Sequence, residues 1–472
     1  MKYYKILLFV VVSGITASHH SYSQQSFNLP LLSNWDDDSI PPAWTGAYNS
    51  CWGYAANGME YAFLASTQGT YFFDITDPAN PVMVDFIKTK DTTTLVVNKD
   101  YDTYQNYLYA VSDQGENSLQ IFDLQYLPDS VVLVYDSDAI SKRCHTIAIE
   151  NSRLYMCSNT RPDNSFGPMD VYSLADPVDP VFMGTVEDPG FYVVHEVFVR
   201  NDTAYCSNGF EGLWVYDLVN PATPSLITII NIYPEAGYNH SSWLTNDSKR
   251  IAFTDEVHGL GVKLMDITDL SNPVFLSMMR SNMLQVQDSL STDGSVAHIP
   301  YIIGNTLLLS YYHDGVVAYN IADPLNPVKI AWHDTHPQNV DYYSYNGCWG
   351  LYPFLPSGNI IASDITNGLF ILDGNNILNI QPEQPQSPSL SIGANPVHDQ
   401  LNVYFNTPLN QDAAIEIFDI TGKLIFNKQY TLTSGRNEIN VPVEKLASGI
   451  YVANVESGNL KLTSKIIKLN RE

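Results

Sequence analysis

Short runs of alternating apolar and polar residues recur along most of the chain, and many of them end in a similar turn that contains an acidic residue and proline. The first copy is FFDITDPANPV, from Phe72 to Val82, and variants of it return about every 50 residues. One position marks the phase of the repeat, at Asp74, Asp123, Ser173, Asp217, Asp266, Asn320 and Asp373. A repeat of this length is typical of propeller blades.

Each repeat contains enough alternation for four short strands. In the fourth repeat the pattern predicts strands over 195–199, 203–206, 213–216 and 225–229. Prolines in the connection from the third to the fourth strand lie where the loss of a backbone donor breaks no ladder. No repeat has the helical periodicity that a helical solenoid needs. Seven four-stranded copies therefore predict an all-β fold, a seven-bladed β-propeller over residues 24–380.

The seventh repeat ends at its third strand, near Asp373. The segment before the first repeat, which begins at Leu29, matches the outer strand of the sixth repeat in the spacing of Pro30 and Trp35. We therefore expect this N-terminal segment to supply the missing strand and to close the ring.

Both ends of the chain differ from the repeats. Residues 1–23 combine a basic start with a short apolar run and small residues, which predicts a secretory signal peptide. Residues 381–389 are rich in proline and polar residues and predict a linker. Residues 390–472 contain further alternating segments and predict a small Ig-like β-sandwich. Since no later apolar run approaches eighteen residues, we expect no transmembrane helix in the mature chain.

The formal charge of −27 is unevenly distributed. Residues 390–472 contain eight acidic and eight basic residues, so the whole excess lies upstream. Such a field repels nucleic acid and attracts cations, and we expect no nucleic-acid partner. Solubility outside the cell explains the same excess equally well.

Five cysteines are few for an extracellular scaffold. Cys157 and Cys206 occupy the same second-strand position in two repeats, which predicts buried thiols. Cys51 and Cys348 belong to the first and last repeats, which are neighbours in a closed ring. A disulfide between them is therefore an open alternative to two free thiols.

The candidate chemistry is concentrated at the openings of the repeats, since the chain contains no compact enzyme motif. Equivalent first-strand positions surround the axis of a propeller, and the turns after the second strands are expected at the same face. These positions predict a metal site formed by His145, His195, His240, His298 and Glu256. They also predict a ligand site at the axial mouth formed by Trp52, Asp100, Glu211, Asp255, His313, Asp314, Trp349 and Asp364.

The cofactor considered for this site is a divalent metal, zinc or calcium, with two or three of the four histidines as ligands. Neutral imidazole is the form that binds metal, so we expect binding to weaken as pH falls through about 6.5. The competing interpretation is that each histidine only satisfies backbone groups in its own blade. The run Asp36-Asp37-Asp38 is a second candidate for calcium, against a solvated turn.

Several phrases, in order, resemble the LVIVD-repeat, choice-of-anchor B family of bacterial surface proteins over about residues 31–373. They include SNWDDDSIP, CWGY, FFDITDPANPV, NHSSWLT and GCWGLYPFLPSGNIIASDITNGLFILD. The tail is similar to the type IX secretion C-terminal sorting domain of the Bacteroidetes, through segments 395–396, 417–423, 446–451 and 465–468. The resemblance implies secretion or attachment at the outer-membrane surface of a Gram-negative bacterium, with the type IX machinery as partner of residues 390–472. It implies no activity.

Three functions from different classes follow. The favoured one is a binding or adhesion module for an unknown extracellular ligand, because propellers are frequent platforms and no nucleophile–base pair is visible. The alternatives are a metal-dependent hydrolase or lyase with a histidine-lined axial site, and a passive structural surface protein. Fold alone does not decide among them.

Overall fold

The structure is a computed structural model that describes residues 26–44, 46–283, 294–339, 341–378, 389–392, 397–407, 411–432, 435–458 and 460–469. The chain divides into two compact units, Met1–Asn379 and Ile380–Glu472. The predicted signal peptide 1–23 lies outside the described residues, as does the predicted linker up to residue 388.

The described part of the first unit contains seven antiparallel sheets, each formed mainly by one repeat, as the sequence predicts. Six have four strands, and the sheet of blade 6 has a fifth. Two strands precede the blades, β1 (Ser26–Phe27) and β2 (Leu31–Trp35). Blade 1 contains β3 (Tyr48–Ala56), β4 (Met59–Ser66), β5 (Gly69–Asp74) and β6 (Val82–Lys88), and blade 2 contains β7 (Lys99–Tyr104), β8 (Tyr107–Ser112), β9 (Leu119–Asp123) and β10 (Val132–Ser137). Blade 3 contains β11 (Thr146–Glu150), β12 (Arg153–Thr160), β13 (Phe166–Ser173) and β14 (Val181–Val186). Blade 4 contains β15 (Glu196–Arg200), β16 (Thr203–Ser207), β17 (Leu213–Asp217) and β18 (Ser225–Ile230). Blade 5 contains β19 (Asn239–Leu244), β20 (Arg250–Asp255), β21 (Val262–Asp266) and β22 (Val274–Met279). Blade 6 contains β23 (Ala297–Ile303), β24 (Thr306–Tyr311), β25 (Gly315–Asn320) and β26 (Val328–His333). Blade 7 contains β27 (Cys348–Tyr352), β28 (Asn359–Asp364) and β29 (Gly368–Asp373).

The first strand of each blade contacts the first strand of the next, and β27 of blade 7 contacts β3 of blade 1. The seven first strands therefore form a closed ring around the axis. The apolar core lies between the blades, where second and third strands bury side chains such as Cys157, Val171, Cys206 and Val215 completely. The predicted burial of Cys157 and Cys206 is confirmed.

The turn after each third strand explains why the sequence motif first seen at 72–82 recurs in every repeat. In all seven blades the phase-marking residue ends the third strand. Its side-chain oxygen accepts a hydrogen bond from the backbone N–H two residues later, at 2.8–3.2 Å. Asp, Asn and Ser can each make this local bond. The register between the third and fourth strands also shifts by one residue in every blade.

The N-terminal segment closes the ring, as the sequence predicts. Strand β2 pairs with β29 as the fourth strand of blade 7, with Leu31 opposite Leu372 and Trp35 opposite Leu369. The Trp35 ring packs against Phe73 of blade 1, with ring centroids 4.8 Å apart. The segment therefore joins the last blade to the first.

A shorter contact holds the same segment to blade 6. Strand β1 adds a fifth strand to that sheet, and the Phe27 ring stacks on Trp332 at 4.9 Å. Leu29 is fully buried between the two strands, and its carbonyl oxygen accepts a hydrogen bond from His333 Nδ1 at 3.1 Å. The segment thus touches blades 6, 7 and 1.

The second unit contains two facing sets of strands with an apolar core, which confirms the predicted β-sandwich. The core includes the buried side chains of Leu401, Val403, Ile415 and Val455. Its strands are β30 (Ser389–Ile392), β31 (Gln400–Thr407), β32 (Gln411–Asp419), β33 (Leu424–Leu432), β34 (Gly435–Pro442), β35 (Gly449–Ser457) and β36 (Leu460–Lys468). In the described part of the chain, no helix is long and apolar enough to span a membrane. The short helix α1 (Asn375–Leu378) follows blade 7.

Candidate metal centre on the propeller axis

Four histidines from consecutive blades meet at one level of the axis. His145 and His195 directly precede β11 and β15, and His240 and His298 are the second residues of β19 and β23. The centroids of neighbouring rings are 4.2, 4.2 and 4.3 Å apart along the series. Blades 3 to 6 therefore contribute one imidazole each to a continuous row.

The inward-facing ligand atoms of this row lie close together. The Nε2 atoms of His145 and His195 are 3.0 Å apart. Glu256 follows β20, and its carboxylate oxygens lie 3.8 Å from His240 Nε2 and 3.9 Å from His298 Nε2. These five side chains line a cavity of about 110 Å³.

The spacing fits a metal ion after a small adjustment. One ligand atom from each of His195, His240 and Glu256 lies within 4.8 Å of the others. Ligand atoms of a tetrahedral zinc site are roughly 3.4 Å apart, because each bond is about 2.1 Å long. Shifts of about 1 Å would therefore bring three ligands onto one ion.

The Nδ1 atoms of three of the four rings have their own partners, whereas His240 Nδ1 is buried without a hydrogen-bond partner among the described residues. His145 Nδ1 donates to the Asp113 carboxylate at 2.7 Å, and His298 Nδ1 donates to the Trp349 carbonyl oxygen at 2.5 Å. His195 Nδ1 lies 3.1 Å from the Tyr238 hydroxyl. Partners of this kind fix the ring orientation and leave a lone pair on Nε2 for a metal.

Burial sets the protonation of the cluster. It lowers the pKa of His195 and His240 well below the usual value and that of His298 to about 3, and the neighbouring imidazoles lower the pKa of these rings further. Burial raises the pKa of Glu256 to about 7, against the hydrogen bond that the Tyr312 hydroxyl donates at 2.8 Å. These three imidazoles are therefore neutral at pH 7. As pH falls, Glu256 is therefore protonated before these three imidazoles.

The two tryptophans of the predicted ligand site lie at different levels. The Trp349 ring contacts His298, with ring centroids 5.1 Å apart. Trp52 does not reach the histidines, lines a second cavity further along the axis, and donates to Thr103 Oγ1 at 3.2 Å. Asp100 borders both cavities.

A register difference places Trp52 at the second cavity. Cys348 pairs with the last residue of its neighbouring strand, Asp364, whereas Cys51 pairs with Leu64, two residues before the end of β4. The Cys-Trp-Gly phrase of blade 1 therefore lies about 7 Å deeper along its strand. The same offset places Cys51 beside Gly350 instead of Cys348, and both cysteines are buried free thiols.

Of the predicted acidic turn residues, the structure brings Glu256 to the histidines. Asp255 points the other way, because neighbouring residues alternate, and forms a 2.5 Å ion pair with Lys263. Asp364 accepts hydrogen bonds from Thr335 and His336. The predicted residues that face away from the cluster are Glu211, Asp255, His313, Asp314 and Asp364.

The aspartate run 36–38 forms a hydrogen-bonded turn. Asp37 Oδ1 accepts from both the backbone N–H and the hydroxyl of Ser39, and Asp36 accepts from the Tyr48 hydroxyl at 2.7 Å. These local bonds match the alternative of a solvated turn.

Sequence reasoning missed the groups that orient the histidines. Asp113 directly follows β8, as Glu256 directly follows β20, so the repeat alignment contained a signal for Asp113. Tyr238 precedes β19 in a loop and Tyr312 lies between β24 and β25. No pattern in the sequence connects these two tyrosines with the histidines.

Comparison with known proteins supports the sorting-domain assignment of the C-terminal residues and the propeller fold of the first unit. Residues 394–469 match the model of the secretion system C-terminal sorting domain. The C-terminal unit is a secretion sorting domain. It implies that the protein is exported to the cell surface or beyond. No curated protein matches the chain.

Two solved structures show the extent of the structural likeness. The WD40 repeats of RRP9 are similar with a TM-score of 0.50 and 12% identity, over 73% of this chain and 97% of that chain. A computationally designed protein, Ika8, has a TM-score of 0.42 and 7% identity, over 69% of this chain and 96% of that chain. The likeness to the WD40 repeats shows a propeller fold and nothing about activity.

Proposed function

We propose that this protein is an exported propeller that holds a divalent transition-metal ion in the axial histidine cluster and acts as a binding module. The observation that carries the proposal is the arrangement of His145. Its Nδ1 is held by the Asp113 carboxylate, and its Nε2 faces His195 Nε2 at 3.0 Å. A carboxylate–histidine pair directed at further imidazoles is typical of metal sites.

The donor set favours a transition metal over calcium. Imidazole nitrogens suit zinc, copper and nickel, whereas calcium takes six to eight oxygen ligands. Without metal, a proton shared between the Nε2 atoms of His145 and His195 satisfies the short contact. A metal ion would replace that proton and use the neutral form that burial favours.

The order of the repeat phrases supports membership in the LVIVD, choice-of-anchor B type over residues 24–380. The sorting domain supports export by the type IX machinery through residues 390–472, with the mature protein at the outer surface of a Gram-negative cell or released from it. In this proposal residues 381–389 connect the two domains.

One observation favours a metal-dependent hydrolase as the second candidate. Glu256 has a pKa of about 7 and receives a hydrogen bond from Tyr312, which suits a general base beside a metal-bound water. A metal-dependent ester or phosphoester hydrolysis that Glu256→Gln abolishes would move the assignment from binding module to enzyme.

The metal site is tested on the full chain after chelator treatment. Calorimetric titration with zinc should show one equivalent bound, and metal analysis after desalting should recover it. The double variant His195→Ala with His240→Ala should lose binding by at least about 100-fold, because two ligands are removed. His398→Ala is the matched control, since His398 is exposed in the second unit.

Two results would overturn the proposal. One is a wild-type protein that takes up no zinc, and the other is a double variant that binds zinc as tightly as the wild type. Thermal melting of the metal-free variants separates a lost site from a lost fold. A large loss of stability in protein that never held metal would show that the histidines only hold the blades together.

A further inference from the structure

A second, larger cavity lies on the axis beyond Asp100 and Glu196, which border both cavities. Its volume is about 370 Å³, within the range of small-molecule sites. It lies deeper along the first strands than the histidine cluster. One side of it is aromatic and the other is acidic.

The aromatic side is a continuous series of rings from five blades. Successive rings contact each other with centroids 4.6–5.5 Å apart. In order around the axis the rings belong to Trp52, Tyr352, Phe354, Tyr301, Trp243 and Phe198. Because their neighbours in the series hold them, these rings offer a preformed aromatic surface.

The acidic side comes from blades 2, 3 and 4 and contains Asp100, Asp102, Glu150 and Glu196. Asp100 and Asp102 accept hydrogen bonds from the backbone N–H groups of Ile147 and Ile149, at 2.7 and 2.6 Å. The backbone of Glu196 pairs with Ser207, but its carboxylate makes no hydrogen bond or ion pair with any described residue. Burial raises the pKa of Glu196 well above its usual value, and Asp100 raises it further.

The lining contains one basic side chain among the described residues, and it is engaged elsewhere. Arg200 donates to the Thr245 carbonyl oxygen at 2.7 Å and stacks 5.0 Å above the Phe198 ring. Within the described chain it forms no salt bridge with the four carboxyl groups. The cavity therefore combines aromatic surface with acidic groups that form no salt bridge within the described chain.

We propose that this cavity binds a small organic ammonium ion. A cation over aromatic faces gains electrostatic attraction, and the gain is largest in a desolvated site. A bound ammonium ion would favour the ionised carboxylate of Glu196, which then supplies the counter-charge, and the remaining rings cover the apolar part of the ligand. A small anion would meet four carboxyl groups and no free base, so the lining offers that class no counter-charge.

A metal ion fits this cavity less well than the histidine cluster. The oxygens of Asp100 and Asp102 that face blade 3 are already used by backbone N–H groups. The aromatic side offers no ligand atoms for a hard cation. An organic cation needs only one carboxylate and the ring faces.

The test uses choline and its neutral isostere 3,3-dimethylbutan-1-ol, which differ in the charged nitrogen alone. Each is titrated into metal-free full-length protein and followed by tryptophan fluorescence and calorimetry. Choline should bind saturably, about tenfold or more tighter than the alcohol. Glu196→Gln should weaken choline binding about fivefold or more and leave alcohol binding unchanged.

Matched variants complete the design. Glu187→Gln, which changes an exposed carboxylate outside the cavity, should leave choline binding unchanged. Trp243→Ala should weaken both probes, and Glu196→Gln keeps the test valid if Trp243→Ala does not fold. Equal affinity for the two probes, no saturable binding of choline, or a Glu196→Gln variant with wild-type affinity would each overturn the inference. Because no metal is present, the outcome is independent of the zinc experiment.

Discussion

The turns after the third strands and the openings of the first strands follow opposite rules. All seven turns place Asp, Asn or Ser at one position and make the same hydrogen bond to the N–H two residues later. The openings that line the histidine cavity differ around the ring, with serine, asparagine, four histidines and tryptophan in turn.

The difference separates two kinds of structural requirement within one chain. A residue that repeats in every blade meets a backbone need that every blade shares. A residue that changes from blade to blade meets a need that exists once, at the centre of the ring. Departures from the repeat are therefore the better guide to the site.

The largest effect is expected from deleting residues 24–36, which removes β1 and β2 and opens the ring. Loss of the buried Leu29 and the half-buried Trp35 should lower the melting temperature by about 5–10 °C and reduce cooperativity. Calorimetric melting measures both. Trp44→Ala is the control, because Trp44 is 83% exposed. An unchanged melt after the deletion would show that the ring closes without its N-terminal strand.

Asp113→Asn tests the proposed metal site of the histidine cluster without removing a metal ligand. The amide is a weaker partner for His145 Nδ1 than the carboxylate, so zinc affinity should fall about 10–100-fold with little change in melting temperature. Calorimetric titration checks this. Asp129→Asn, at an exposed carboxylate, is the matched control. A variant with wild-type zinc affinity would place the metal elsewhere.

Asp102 should make stability depend on pH. Burial raises its folded-state pKa from 3.8 to about 8, so its stabilising contribution is complete below pH 4 and is lost as pH rises to 8. Between these two pKa values Asp102 contributes a fall of about 1.4 kcal/mol per pH unit, and the comparison with Asp102→Asn separates it from the contributions of other groups. Melting at pH 6.5 and 8 should show a smaller fall for Asp102→Asn. Equal slopes in variant and wild type would refute this account.

The smallest effect is expected at a repeated turn. Asp266→Ala removes the bond to the Thr268 N–H and should cost about 1 kcal/mol of unfolding free energy, without changing zinc affinity. Asp266→Asn keeps an acceptor oxygen and should be nearly neutral, since blade 6 uses Asn320 at this place. Denaturant unfolding distinguishes the two. A loss of zinc affinity in Asp266→Ala would contradict the separation of turns from openings.

The fold was predictable because its signals are local. Each turn is marked in the sequence by a turn-forming residue such as Asp217, and the seven copies of that residue define the phase of the repeat. The missing fourth strand of blade 7 pointed to Leu31–Trp35 by the same logic. The sequence also placed the four histidines in phase, so their convergence followed from the symmetry of a ring.

The rest of the site depends on facts that a repeat pattern does not contain. The two-residue offset between Cys51 and Cys348 moves Trp52 from one cavity to the other, although the local phrases are alike. The direction of Asp255 depends on a side-chain alternation at the end of β20. The Tyr238 and Tyr312 contacts join residues from different blades, and only the packed ring brings them together.

The pairing of β2 with β29, which completes blade 7, also sets the order in which the blades can be completed during synthesis. Leu31 pairs with Leu372, so strand β2 waits for a partner that is synthesised about 340 residues later. At roughly 5–20 residues per second the wait lasts on the order of tens of seconds, while six blades can form in sequence. Throughout that interval two unpaired strand edges remain open to other chains. The moment of closure therefore ends the period in which this protein is most exposed to aggregation.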